Sequence, residues 1–189
     1  MMNPRDASPL LVICGPTASG KTALAVDLAR RFPIEVVSAD SRQVYRGLDI
    51  GTAKATATER RQVPHHLLDV VAADEEFSVA DFASLAHSAI ADILARGRLP
   101  VLLGGTGLYL RAVTEGLVDA PTGDPVLRAE LLGREEREGP GTLFRLLQEI
   151  DPPLAQRIQP GDVTRTVRAL EVYRLSGRRL SDFQREHAF

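Results

Sequence analysis

The sequence predicts an α/β protein, a parallel sheet flanked by helices, with a helical lobe following or inserted into it. Three observations carry this reading. Short aliphatic or β-branched runs alternate with segments of helical periodicity over the first two thirds of the chain, and each run ends in polar or glycine-rich residues. After about Glu115 no good strand follows, and helical segments punctuated by Pro and Gly take over.

Taken in order, Leu10 to Cys14 is a short apolar run ended by Gly-Pro, and Ala23 to Arg31 carries apolar residues at helical spacing. IEVVSA, Ile34 to Ala39, is β-branched and gives way to Asp40, Ser41, Arg42 and Gln43. HLLDVV, His66 to Val71, reads as a weaker strand. Ser78 caps a helix through Arg96, with Asp81 in the capping-box position and Gly97 as its stop. LPVLLGG, starting at Leu99, reads as a buried strand ending in glycines. Asp124 to Glu138, Thr142 to Ile150 and Val163 to Ser176 read as helices, the last with Asp162 as N-cap. The domain reading is therefore a core at residues 1–114 and a helical lobe at 115–189. Ligands of a parallel sheet sit at the carboxyl ends of its strands. The opening loop, Asp40 to Gln43 and Gly104 to Gly107 are expected to converge there.

Composition narrows the class. At 44% hydrophobic and 25% charged residues the chain of 189 residues is globular. It has no apolar run of roughly 18 residues that would span a bilayer. The start resembles neither a secretory nor a transit segment, so a cytoplasmic protein without membrane partners is expected. Cys14 is the only cysteine, which rules out an internal disulfide and a cysteine-built zinc site; it is expected to be a small buried filler. A net charge of -2 argues against a generally basic nucleic-acid binder but not against a local basic face. Such a face is suggested between Arg157 and Arg185, where arginines outnumber acids and Arg165 and Arg168 lie one helical turn apart. A solvated helix face is the alternative. Adjacent His65 and His66 would point to opposite faces of a strand, so packing or surface roles are expected rather than metal binding.

The most specific signal is CGPTASGKT. Gly15, Pro16, Thr17, Ala18, Ser19, Gly20, Lys21 and Thr22 match GxxxxGKT in full, between a strand and a helix. The glycines allow close backbone approach, so that successive N–H groups surround phosphate oxygens at the positive end of a helix. Lys21 adds a mobile point charge and the Thr22 hydroxyl is placed to ligate Mg2+. The core is thus read as P-loop NTPase-like. Asp40 is open to three roles: a water-mediated Mg2+ ligand, a general base, or a cap of the following turn. Thr106, between glycines, either turns its hydroxyl toward a phosphate or substrate amine or is a plain turn residue. The late strand ends in glycines where a hydrolytic P-loop enzyme would carry an acid.

Four motifs in order, GPTASGKT, DSRQVYRGLDIGTAK, PHHLLD and GGTGLYL, resemble the tRNA dimethylallyltransferases, and the similarity extends through DPVLRAEL and RALEVYRLSG. The resemblance implies that the loop cradles the diphosphate of dimethylallyl diphosphate, and that the prenyl group passes to N6 of an adenine beside the tRNA anticodon, releasing pyrophosphate. It implies catalytic roles for Asp40 as base, for Thr106 in positioning and for Lys21 at the diphosphate. It implies tRNA contacts at Asp40, Ser41, Arg42, Gln43, Thr106, Arg128, Thr164, Arg165, Thr166, Val167 and Arg168, with the anticodon arm as partner and a monomeric protein. Ala55 and Arg179 stand where the family commonly has prolines. Family members continue beyond the point matching Phe189, so the lobe is expected to be incomplete and the core to lack its later strands. The alternatives are a small-molecule or nucleotide kinase, a prenyl transferase using free adenine nucleotides, and an inactive phosphate- or RNA-binding fragment.

Overall fold

The computed structural model describes residues 9–187 and divides into two compact units, Met1–Leu117 and Val118–Phe189. In the first unit, β1 (Leu11–Cys14), β2 (Ile34–Ala39), β3 (His65–His66) and β4 (Leu99–Gly104) form one sheet in the order β1-β4-β2-β3 with every pair parallel. The connections are α1 (Lys21–Ala29) and α2 (Ala57–Gln62), then α3 (Val79–Ala95), with α4 (Gly107–Thr114) after β4.

All six residues of β2 are buried, as a strand covered on both faces requires. Its period-two alternation splits them between two cores. Val37 and Ala39 join Leu102, Phe82, Ala86, Ile93, Tyr109 and Val113 under α3 and α4, where Phe82 and Tyr109 stack with centroids 3.9 Å apart. Ile34 and Val36 join Val101, Leu103, Ala25, Val26 and Val63 on the opposite face. Fully burying Phe82 is worth about 1.5–3 kcal/mol. The buried Glu35 is matched by Arg96 at 2.7 Å, His66 at 2.6 Å and Arg98 at 3.5 Å; Arg96 and His66 outweigh burial and hold its carboxyl below the usual range.

Two expectations are corrected. Cys14 is exposed, not buried. It ends β1, which pairs only with β4 among the described strands, so Leu11 and Val12 are also partly uncovered. HLLDVV is not a strand beyond its first residue. Leu67 and Asp69 take φ of 61° and 58°, which interrupts extension, and the chain regains pairing only as a bridge from Val71 to Tyr45. Asp69 instead turns its carboxylate to Lys54 at 2.6 Å and Arg60 at 3.0 Å.

The second unit is helical: α5 (Pro125–Glu138), α6 (Thr142–Ile150), α7 (Pro152–Ala155), α8 (Val163–Ser176) and α9 (Leu180–Glu186). Leu131, Leu143, Leu147, Leu154, Val167 and Leu170 form much of its core. Side chains of Asp124, Asp151 and Asp162 accept backbone N–H groups at the starts of α5, α7 and α8. No described helix is long and apolar enough to cross a membrane.

Candidate active site

The strand ends gather their loops in one cleft of about 290 Å3, lined by Thr17 to Ala23, Ser38, Asp40, Gln43, Thr52, Ala53, Glu59 and Leu103 to Gly105. Gly20, at φ 84°, forms the left-handed entry to α1, and no acid stands in that helix's first turn. The positive helix end therefore faces the cleft with no acid of its own first turn to offset it. Lys21 Nζ folds over the loop and donates to the carbonyls of Gly15 at 2.9 Å and Pro16 at 2.6 Å. Thr22 and Asp40 line the same cleft, so a hydroxyl and a carboxylate are available there to a hard cation.

Asp40 does cap its turn: Oδ1 accepts from the backbone N–H of Arg42 at 2.9 Å and of Gln43 at 3.3 Å. This leaves capping and cleft-facing roles compatible, because a carboxylate has two oxygens. Thr106 Oγ1 accepts from Ser41 N–H at 3.0 Å, and Thr106 N–H donates to Ala39 O at 3.2 Å, so the β4–α4 turn is clipped to the end of β2. Gln43 is a brace: its Oε1 accepts from Ser38 Oγ at 3.1 Å and its Nε2 donates to Thr52 O at 3.0 Å. Arg42 is exposed beside Gly47 to Thr52.

Sequence reasoning missed Thr52, Ala53 and Glu59 in this cleft. Glu59 had a legible signal, since Thr56-x-x-Glu59 is a capping box and both of its reciprocal bonds form. Thr52 and Ala53 had none, as their carbonyls are held by the Gln43 amide. Lys54, with a side chain only 1% exposed, bonds Asp49 at 2.7 Å, Asp69 at 2.6 Å and Tyr45 O at 2.9 Å. Burial alone would lower its pKa, but the two carboxylates raise it.

In the second unit Thr164 and Arg165 are exposed, and Arg165 sits 3.5 Å from Asp162. Thr166 and Val167, by contrast, are buried at 1% and 2% exposure on the inner face of α8, with Val167 in the unit's core, so their side chains are not presented at the surface as those of Thr164 and Arg165 are. Arg168 is partly enclosed, its Nη2 donating to Pro121 O at 2.7 Å. Burial lowers its pKa, and nearby Arg128 does so too, against the opposing pull of Glu171. Arg128 bonds Glu171 at 2.9 Å with half its side chain exposed.

A family model described as IPP transferase matches residues 43–189. The chain is 59% identical over 180 residues to a tRNA dimethylallyltransferase 1 of Syntrophotalea carbinolica, covering 95% of this chain and 57% of that protein. It is 52% identical over 189 residues to a tRNA dimethylallyltransferase 2 of Geotalea uraniireducens, covering 100% and 61%. A crystallographic structure of a eukaryotic dimethylallyltransferase acting on tRNA superposes with a TM-score of 0.77 at 32% identity, over 95% of this chain and 45% of that one. The full-length tRNA isopentenylpyrophosphate transferase of Bacillus halodurans gives 0.60 at 48% identity, over 90% and 57%. The chain thus spans about three fifths of the length of these curated relatives.

Proposed function

The chain belongs to the IPP transferase family, and from that premise we propose that it carries the diphosphate-binding and base-bearing part of a tRNA dimethylallyltransferase. The observation that carries this reading is the sharing of one cleft by the phosphate loop and Asp40. The N6 nitrogen of an adenine beside the tRNA anticodon forms a bond to the allylic carbon of dimethylallyl diphosphate. The C–O bond breaks, its electron pair leaves with pyrophosphate, and the N6 proton passes to the Asp40 carboxylate. Lys21 and the N–H groups at the start of α1 stabilise the charge developing on the leaving group. The Thr22 hydroxyl fits Mg2+, a hard ion held by few protein oxygens together with substrate phosphates, which when bound would add Lewis-acid stabilisation of the diphosphate. Thr106 acts by holding Ser41 and thereby the surface that receives the flipped adenine. The second unit, Val118–Phe189, faces the anticodon arm through Arg128, Thr164 and Arg165.

The test is labelled dimethylallyl diphosphate with Mg2+ and tRNA, AMP or no acceptor. Label in tRNA is expected; label in AMP alone would point to free-nucleotide prenylation, and phosphate transfer from ATP to a kinase. In a protein of the relatives' full length, Asp40→Asn is expected to lower transfer about 10²- to 10⁴-fold with tRNA binding retained. Near-normal transfer would remove Asp40 as the base.

A further inference from the structure

The second unit holds a carboxylate that the proposed chemistry does not use. Glu171 lies on the inner face of α8 and is 0% exposed, a setting in which an ionised carboxylate is costly unless it is paired. Its Oε2 accepts from Arg128 Nη2 at 2.9 Å, while Oε1 is buried with no hydrogen-bond partner. Gly123 lies against the pair: a Cβ there would meet Arg128 Nη2 at 3.1 Å and Glu171 Oε1 at 3.4 Å.

Arg168 lies one turn before Glu171 on the same helix. Its Nη2 is committed to Pro121 O and its Nη1 is buried without a partner, so this guanidinium is directed inward. Arg128, with half of its side chain exposed, is the member of the group that reaches solvent.

We propose that Glu171 is a positioning residue for RNA binding: it holds the Arg128 guanidinium in the orientation that meets a backbone phosphate, while Arg168 secures the Pro121 segment and offsets the carboxylate. This rests on the RNA-facing reading of the second unit. Holding the planar fork in place reduces what is lost when it grips a phosphate. The sign of the effect is diagnostic. A carboxylate that contributed only its charge would repel RNA, and removing it would tighten binding; one that positions Arg128 weakens binding when removed.

The experiment measures the affinity of the 189-residue chain for a synthetic anticodon stem–loop RNA at several salt concentrations, with thermal unfolding as the check on folding. Arg128→Gln is expected to weaken binding about tenfold and to reduce the salt slope by about one. Glu171→Gln is expected to weaken it in the same direction, and the double variant to bind like Arg128→Gln alone, since the second change has nothing left to act through. Equal or tighter binding by Glu171→Gln, or additive losses in the double variant, would overturn the positioning role. Should Glu171→Gln fail to fold, Glu171→Asp keeps the charge but shortens the reach; weaker binding supports the role, and wild-type affinity ends it. Failure of the wild-type chain to bind the stem–loop would instead overturn the RNA reading itself.

Discussion

Thr106 lies 65 residues from Ser41 in sequence, yet its Oγ1 takes the Ser41 N–H at 3.0 Å. It thereby fixes the backbone immediately after Asp40. Thr106→Val keeps the shape and removes the acceptor, leaving that N–H unsatisfied; a loss of about 1–3 kcal/mol is expected in urea unfolding. Thr106→Ser restores the acceptor and is expected to recover most of it. From the sequence Thr106 was legible as a polar residue between glycines and, through the family resemblance, as a positioning residue; its partner Ser41 was not, because strand order sets it. Asp40 was legible as a strand-end acid with several possible roles, and the turn it caps became specific only once Arg42 and Gln43 folded back on it. Cys14 misled for a related reason: an apolar run is buried only where something covers it.

At the level of elements, the cleft depends on how closely β4 approaches β2. A Cβ on Gly104 would lie 2.0 Å from the carbonyl oxygen of Ala39, the same oxygen that accepts Thr106 N–H. Gly104→Ala is therefore expected to cost about 3 kcal/mol or more by forcing the strands apart. Urea unfolding monitored by circular dichroism would measure it, since the chain has no Trp. The helices α3, α5, α6 and α8 were legible because their caps and periodicity are local, and the Ser78–Asp81 capping box forms with both bonds. Short α2, α7 and α9 were not read, as each has too few turns for a period to show. HLLDVV failed as a strand because the pull on Asp69 comes from Lys54 and Arg60, which are remote in pattern though near in space.

For the first unit as a whole, the titrating groups favour neutral pH. Burial chiefly lowers the pKa of His65, while ion partners overcome burial to hold Glu35 and Asp69 low. Each binds its proton less tightly folded than unfolded, so its contribution is present above the unfolded pKa and is lost as pH falls through the folded one. Stability is expected to decline first below about 6.5, from His65, and again below about 4, from the carboxylates. Lys54, held high, acts at the other end: its contribution is complete below about 10.4 and is lost as pH rises through its folded value. Unfolding in urea across pH would check both limbs, and His65→Gln is expected to flatten the upper acid step alone.

What the sequence determined by itself was the phosphate loop, the strand–helix alternation and the capped helices, because each depends on residues adjacent in the chain or one helical turn apart. The tertiary structure decided which of those residues meet: the clip from Thr106 to Ser41, the Lys54 knot with Asp49, Asp69 and Tyr45, the exposure of Cys14, and the burial of Thr166 and Val167. These follow from strand order and from which helix face finds a neighbour. They are matters of long-range packing, to which local spacing is blind.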